Sequence, residues 1–229
     1  MNQTFDPQKR FDERAAEYDS DIETILPAYK SLHETTYYLL KSYLNEKAKI
    51  VVAGAGTGNE SILFVSGNPG WLVKGFDLSR EMINRANIKI SEKGLEKRVK
   101  IICGNIKDID EYDFDAAISL LVMHFIEDKK SYIENICKRL KTGGIFIVAD
   151  ITGEKDTNEF DQFLSVLKIF QSAKGRDKEK IDDTYRNIRE NLFIISEKEL
   201  IGILKKSGFS KIRNYYRNLL VQSFIAQKT

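Results

Sequence analysis

The sequence has little cysteine, proline or histidine, and these shortages exclude several classes of protein. Of its 229 residues only two are cysteines, Cys103 and Cys137, three are prolines and two are histidines. Two isolated cysteines build neither a disulfide framework nor a metal site, and such usage is typical of a reducing compartment. We therefore predict a cytoplasmic protein without a bound metal.

Long apolar runs and an excess of charge of one sign are also absent. No run approaches the ~20 apolar residues that cross a bilayer, and the first residues lack the layout of a secretory signal, so we expect no membrane contact. The 36 basic and 34 acidic side chains nearly cancel, so no overall field attracts nucleic acid. With 42% hydrophobic residues the chain is long enough for one buried core, which predicts a single domain over 1-229.

Three alternating glycines follow an apolar run near residue 50. The run Ile50 to Ala53 leads into Gly54, Gly56 and Gly58, which predicts a buried strand, a tight turn and then a helix. Glycine lets a backbone pass close to a ligand, and the free N–H groups of the helix favour an anionic group. The third glycine comes one residue earlier than in the dinucleotide fingerprint, and a P-loop ending is absent. A cofactor turn and an ordinary strand-to-helix turn both fit this stretch alone.

The next predicted strand ends in an acid. Trp71 to Asp77 is apolar until its last residue, and a doubly wound sheet uses a carboxylate at that place to accept hydrogen bonds from ribose hydroxyls. Ser79 then caps a predicted helix with Met82 on its apolar face. The acid and the glycine turn thus fall at the same edge of the predicted sheet.

These motifs resemble the class I S-adenosylmethionine-dependent methyltransferases. The resemblance implies that the glycine turn lies beside the methionine part of the ligand, that Asp77 holds the ribose and that the residues after it wall the adenine. S-adenosylmethionine is then the expected cofactor and S-adenosylhomocysteine its product. The implied cofactor contacts are Tyr18, Gly54, Ala55, Gly56, Thr57, Gly58, Asp77, Leu78, Met82, Asn105, Ile106 and Leu120.

Two positions depart from the family pattern. Val52 stands where most relatives have an acid that supports the turn and the amino end of the ligand, and Asn105 stands where an acid often accepts a bond from the adenine. An asparagine oxygen still accepts that bond, without the assistance of charge. Losing the charged contact at Val52 costs roughly 1.5 to 3 kcal/mol, or about one to two powers of ten in affinity. The sequence thus predicts either a weak site or compensation by another residue.

The resemblance also implies the complete fold, an α/β, Rossmann-like, doubly wound sheet of seven strands in the order 3-2-1-4-5-7-6, with helices on both faces. We expect four segments in one domain: N-terminal helices over 5-45, a Rossmann-like core over 48-152, a helical insertion over 153-195, and a C-terminal helix and hairpin over 196-228. The insertion is longer than a connection needs, which predicts a cover over the substrate or a dimer contact through its Phe160 helix. The predicted assembly is a monomer or a homodimer.

Finer features of these segments are also predicted. Residues 5-45 contain two predicted helices separated near Leu26-Pro27, with Phe11, Ala15 and Tyr18 at helical spacing in the first. In the family such a leading segment tends to fold over the bound ligand, and simple packing on the sheet is the alternative. A turn over Lys141 to Gly144 and a hairpin turn at Arg217-Asn218 complete the prediction.

Methyl transfer demands little acid–base chemistry when the acceptor is already a nucleophile. A hydroxyl or protonated amine acceptor benefits from a base, and a neutral imidazole suits that role. His124, at the end of the fourth strand, is the candidate catalytic base, and His33 is a candidate substrate contact, with a packing role as the alternative for both. The proline-rich motif of base-directed amino-methyltransferases is absent, and neither cysteine follows a proline. A small-molecule acceptor is therefore favoured over nucleic acid.

Other stretches resemble the carboxy-S-adenosylmethionine synthase branch, which serves tRNA wobble-uridine modification. The matching stretches are Phe11 to Ala15, Pro27 to Tyr29, Arg186 to Leu192 and Phe224 to Lys228. The resemblance implies that Arg186 binds the added carboxylate, and a solvated helix face is the alternative. Gly56 stands where that branch has serine, which favours an ordinary methyltransferase. A non-catalytic S-adenosylmethionine-binding protein is a third hypothesis, because Val52 replaces the family's acid.

Overall fold

The structure is a computed structural model that describes residues 5–229. Sixteen helices and strands follow one another in chain order: α1 Pro7–Arg14, α2 Tyr18–Ile25, α3 Tyr29–Tyr43, β1 Ala48–Ala53, α4 Asn59–Ser66, β2 Trp71–Asp77, α5 Arg80–Glu92, β3 Val99–Cys103, β4 Phe114–Leu120, α6 Lys129–Arg139, β5 Leu140–Ile151, α7 Asn158–Ala173, α8 Lys178–Arg186, α9 Glu197–Lys206, β6 Phe209–Asn218 and β7 Val221–Lys228. Short 3₁₀ turns follow β3 and β4, and a π-helical turn follows α8. Among residues 5–229 no helix is both long and apolar enough to cross a membrane.

The strands form one seven-stranded sheet in the order β3-β2-β1-β4-β5-β7-β6, which confirms the predicted fold. The first five strands are parallel, and β7 runs antiparallel to both β5 and β6. Helices cover both faces, so the central strands are apolar almost without interruption, as in Ile50 to Ala53. One face packs against α3, α4 and α5, and the other against α6 and α9.

The N-terminal segment contains three helices instead of the predicted two. The break at Leu26-Pro27 is present, and a second break at Ala15 to Glu17 separates α1 from α2. The reason lies in contacts distant in sequence. Thr57 Oγ1 and Asn59 Nδ2 donate hydrogen bonds of 2.6 and 2.9 Å to Asp19 Oδ1, which draws α2 onto the glycine turn.

Two predicted turns differ in detail. The stretch Lys141 to Gly144 lies within β5 as a bulge, because Phe114 pairs with Leu140 and Ala116 already pairs with Ile145. Gly143 has a φ of +78° there, which favours glycine. The hairpin turn lies at Leu219-Leu220, and not at Arg217-Asn218, because β6 continues to Asn218.

The insertion packs on the N-terminal helices. Arg10 of α1 contacts Asp183 of α8 at 2.7 Å, and Gln171 of α7 donates a hydrogen bond of 3.2 Å to the Ile25 carbonyl. Asp21 of α2 is paired with Arg14 and with Arg176, whose side chain is only 5% exposed. We call residues 5–25 the N-terminal cover, and α7 and α8 hold it from outside.

The pKa of Asp21 is set by its burial and its two cationic partners. Burial alone would raise it, and the Arg14 hydrogen bond and the Arg176 charge together hold it below its ordinary value. A carboxyl with a lowered pKa stabilises the fold above its ordinary pKa of about 3.9, and that contribution is lost as the pH falls through the lower folded value. The cover therefore keeps this ion pair throughout the neutral range.

We predict that Arg176→Met loosens the cover. The change removes a buried partner of Asp21, and losing a charged hydrogen bond of this kind costs about 1.5 to 3 kcal/mol. Amide hydrogen exchange should accelerate in residues 18–25, and urea unfolding should show lower stability. Arg85→Met, at an exposed position on α5, is the matched control. Unchanged exchange in residues 18–25 of Arg176→Met would contradict this account of the cover.

Candidate functional site

A cavity of about 580 Å³ lies at the carboxyl ends of β1, β2 and β4. The winding of the sheet reverses between β1 and β4, and open α/β sheets bind their ligands at such a reversal. Its floor is the glycine turn after β1, its sides are the loops after β2, β3 and β4, and Phe11 and Tyr18 of the cover form its roof. The fold thus places the sequence motifs around one space.

The glycine turn is tight, and at Gly54 it leaves no room for a side chain. Gly54 has a φ of +61°, and a Cβ at this position would lie 2.3 Å from Cγ2 of Val122. The Ala55 N–H donates a hydrogen bond of 3.0 Å to the Phe76 carbonyl, which ties the turn to β2. Gly54 is therefore required by its backbone conformation and by the approach of the loop after β4.

Asp77 links the glycine turn to the start of α5. Its Oδ2 accepts a hydrogen bond of 2.8 Å from the Gly56 N–H, and its Oδ1 accepts one of 2.9 Å from the Ser79 N–H. Burial raises the pKa of Asp77, and these backbone hydrogen bonds oppose the rise. Each oxygen keeps a second lone pair that can accept a hydroxyl. The carboxylate is thus placed to bind a diol.

The loop after β3 forms another wall of the cavity. Asn105 Oδ1 accepts the Lys107 N–H at 2.9 Å, and the Asn105 N–H donates to Asp108 Oδ2 at 2.8 Å. This reciprocal cap fixes the loop and holds Ile106 against the cavity. Leu78 lies on the same wall and is 52% exposed. An exposed leucine at the edge of a cavity offers an apolar surface to a ligand.

The N-terminal cover is fastened to the same loops. Asp12 Oδ1 accepts hydrogen bonds from Ser79 Oγ at 2.6 Å and from the Glu81 N–H at 3.2 Å. Phe11 packs edge-on against Phe125, with ring centroids 5.4 Å apart. The roof therefore contacts both the loop after β2 and the loop after β4, which confines whatever the cavity binds.

Glu60 is a cavity residue that the sequence analysis missed. It lies in the first turn of α4, lines the cavity and is 8% exposed. Tyr18 and Tyr29 lie near it, and burial first and the charge of Glu60 second raise the pKa of both phenols. The available signal was an acid two residues after the third glycine, at a helix start that favours negative charge. Val52, where the family's acid was expected, is 2% exposed and does not line the cavity.

Most of the predicted cofactor contacts meet in this cavity. Of the predicted contacts, those that line the cavity are Tyr18, Gly54, Ala55, Gly56, Thr57, Asp77, Leu78, Asn105, Ile106 and Leu120. Gly58 and Met82 lie behind the turn and support it. A Cβ at Gly58 would lie 3.1 Å from Ala86 Cβ, and Met82 Cε would lie 4.0 Å from a Cβ at Gly56. No residue of the insertion lines the cavity, so the segment predicted to cover the substrate holds the cover in place instead.

The candidate base His124 does not line the cavity. Its Nδ1 lies 2.5 Å from Asp150 Oδ1, and its backbone N–H donates to Asp150 Oδ2 at 3.1 Å. Both groups are buried. This pair fixes the loop after β4 to the end of β5, and the predicted role of His124 as a base stays a prediction.

The two candidate substrate residues also lie outside the lining. His33 is buried behind Glu60, with its Nδ1 3.4 Å from Glu60 Oε1 and its ring 4.2 Å from the Tyr29 ring. Arg186 is exposed near the end of α8. Neither is positioned to contact a ligand in the cavity directly, so their substrate roles stay predictions.

Comparison with known proteins gives relatives over the full chain. Residues 44–207 match the family profile of the Methyltransferase domain. Carboxy-S-adenosyl-L-methionine synthase of Campylobacter jejuni strain 81-176 is 24% identical over 227 residues, covering 97% of this chain and 96% of the relative. The enzyme of the same name from Nautilia profundicola is 26% identical, covering 100% and 98%.

Solved structures share the fold. Magnesium protoporphyrin IX methyltransferase from Synechocystis PCC 6803, with bound S-adenosylhomocysteine, superposes with a TM-score of 0.65 at 18% identity over 90% of this chain and 86% of that chain. Geranyl diphosphate C-methyltransferase from Streptomyces coelicolor has a TM-score of 0.62 at 14% identity over 86% and 78%. The family profile matches well over half of the sequence, and the predicted cofactor motifs lie around one cavity. The chain belongs to the S-adenosylmethionine-dependent methyltransferase family.

Proposed function

We propose that this enzyme transfers the methyl group of S-adenosylmethionine to a small molecule held between the glycine turn and the N-terminal cover. The observation that carries the proposal is the single cavity on which the glycine turn, Asp77 and the cover all converge. The helices α1 and α2, which Asp12 and Asp19 fasten to the cavity loops, narrow the approach for a polynucleotide acceptor. A small acceptor fits beneath this roof.

The residues present fit the cofactor. Asp77 would accept hydrogen bonds from the ribose hydroxyls, and Leu78, Asn105 and Ile106 would wall the adenine. The backbone of the glycine turn would lie beside the methionine part. When bound, the cofactor supplies a methyl group on a positively charged sulfur that departs neutral.

The chain's own contribution is to orient the two reactants and exclude water. Orientation alone can supply about 7 to 11 kcal/mol of a barrier when reacting atoms are held at contact distance. Leu121, Val122 and Phe125 of the loop after β4, with Phe11 of the cover, give an apolar wall beside the glycine turn. We infer that this wall receives the acceptor, and that its apolar lining selects a compact and partly apolar molecule.

A second candidate is a carboxy-S-adenosylmethionine synthase, which the names of the full-length relatives favour. The charges of the cavity argue against it. Four acidic residues line the cavity, namely Asp6, Glu60, Asp77 and Asp128. Within residues 5–229, Lys107 is the one basic residue of the lining. An added carboxylate would be repelled by this lining. Arg186, the residue proposed to bind that carboxylate, is exposed on α8 and outside the lining.

We predict that Asp77→Asn weakens the binding of S-adenosylhomocysteine by about tenfold or more, because the neutral side chain loses charge-assisted bonds to two hydroxyls. Isothermal titration calorimetry measures the change. Asp110→Asn, at an exposed position on the loop before β4, should bind like the wild type. Equal affinity of Asp77→Asn and the wild type would remove Asp77 from the ribose site.

We also predict which ligand copurifies with the protein. Native mass spectrometry should find S-adenosylmethionine or S-adenosylhomocysteine, and Arg186→Ala should keep it because Arg186 lies outside the cavity lining. Turnover with a pool of small acceptors should give products that are heavier by one methyl group. A copurified ligand that is heavier by one carboxyl group and is lost in Arg186→Ala would favour the synthase. Binding without turnover of any acceptor would favour a non-catalytic protein.

A further inference from the structure

Glu60 is a buried carboxylate without a hydrogen-bond donor. It is 8% exposed and lines the cavity, and among residues 5–229 no hydrogen bond to either of its side-chain oxygens is found. Burying a carboxylate is unfavourable unless a cation or hydrogen-bond donors compensate. The N-terminus of α4 offsets only part of this cost, since a helix dipole acts as a partial positive charge. The site therefore lacks a positively charged partner.

His33 does not supply that partner. It is 6% exposed, and both of its ring nitrogens are without a hydrogen bond within the described part of the chain. Its Nδ1 lies 3.4 Å from Glu60 Oε1 without hydrogen-bond geometry, and the contact carries opposite charges only if the imidazole is protonated. Two unpaired polar side chains thus lie side by side behind one end of the cavity.

The surroundings of Glu60 offer hydroxyls but no cation. Tyr18 and Tyr29 line the cavity beside it, and burial together with its negative charge keeps both phenols protonated. Lys89, which contacts the cover, donates hydrogen bonds of 2.8 Å to Asp19 and 2.7 Å to Asn59. This end of the cavity is therefore negatively charged and bordered by two neutral phenols.

We propose that Glu60 binds the α-ammonium group of the cofactor, in place of the acid that the family resemblance implies where this chain has Val52. The inference rests on the proposed function, because it assumes that the methionine part lies beside the glycine turn. Glu60 follows Gly58 by two residues and faces the same cavity. An ammonium group supplies both the charge and the donors that this carboxylate lacks. The acid is thus moved from the end of β1 to the first turn of α4.

The test compares ligands with and without the amino-acid end. S-adenosylhomocysteine contains the ammonium group and the carboxylate of the amino-acid end. 5′-Deoxy-5′-methylthioadenosine lacks this end altogether. Decarboxylated S-adenosylmethionine keeps the amine of this end and lacks the carboxylate. In Glu60→Gln, calorimetry should show binding of the first and third ligands weakened by about tenfold or more, with 5′-deoxy-5′-methylthioadenosine within about twofold of wild type. Glu92→Gln, at an exposed position at the end of α5, is the matched control.

The remaining outcomes separate this inference from the proposed function. Unchanged affinity of Glu60→Gln for S-adenosylhomocysteine would overturn the inference, and so would an equal loss for all three ligands, which would show an effect of cavity shape. Retained binding of 5′-deoxy-5′-methylthioadenosine also shows that the variant is folded. A wild-type protein that binds none of the three ligands would instead overturn the proposed function.

Discussion

The site depends on one carboxylate that accepts two backbone hydrogen bonds. Asp77 is the last residue of β2, and it holds Gly56 of the glycine turn and Ser79 at the start of α5. These N–H groups belong to two separate connections, the turn after β1 and the turn after β2, and the carboxylate joins them at this edge of the sheet. A carboxylate can meet both at once because it has two oxygens with free lone pairs. This bridge, together with the pairing of β1 and β2, fixes the two connections that border the cavity.

Carboxylates of the N-terminal cover also accept hydrogen bonds from the segments that border the cavity. Asp12 holds Ser79 and the start of α5, and Asp19 holds Thr57, Asn59 and Lys89. Acids of α1 and α2 are therefore fixed by the same segments that border the cavity. The insertion contributes from the other side through Arg176 and Asp183. The roof is consequently part of the site, although most of its fastening residues do not face the cavity.

The individual strands could be predicted from the sequence because the information for them is local. The apolar runs before Gly54 and Asp77 show where strands lie, whereas the order of the seven strands was implied by the resemblance to the methyltransferase family. The direction in which a side chain points could not be predicted from the neighbouring sequence. His124 lies in the short turn after β4, yet its imidazole is held by Asp150, which lies 26 residues away in the sequence. Glu60 was overlooked for the same reason, since an acid in a first helical turn is common and only the fold turns it toward the cavity.

The placement of the cover has a consequence for turnover. The helices of the cover border the mouth of the cavity, so release of the bonds from Asp12, Asp19 and Asp21 would widen the path by which product leaves. Lid opening commonly takes microseconds to milliseconds, and in many enzymes it limits the overall rate. The largely buried ion pair between Asp21 of α2 and Arg176 of the insertion would then influence the residence time of the product. Sequence changes far from the chemistry could tune the speed of this enzyme while leaving its choice of substrate intact.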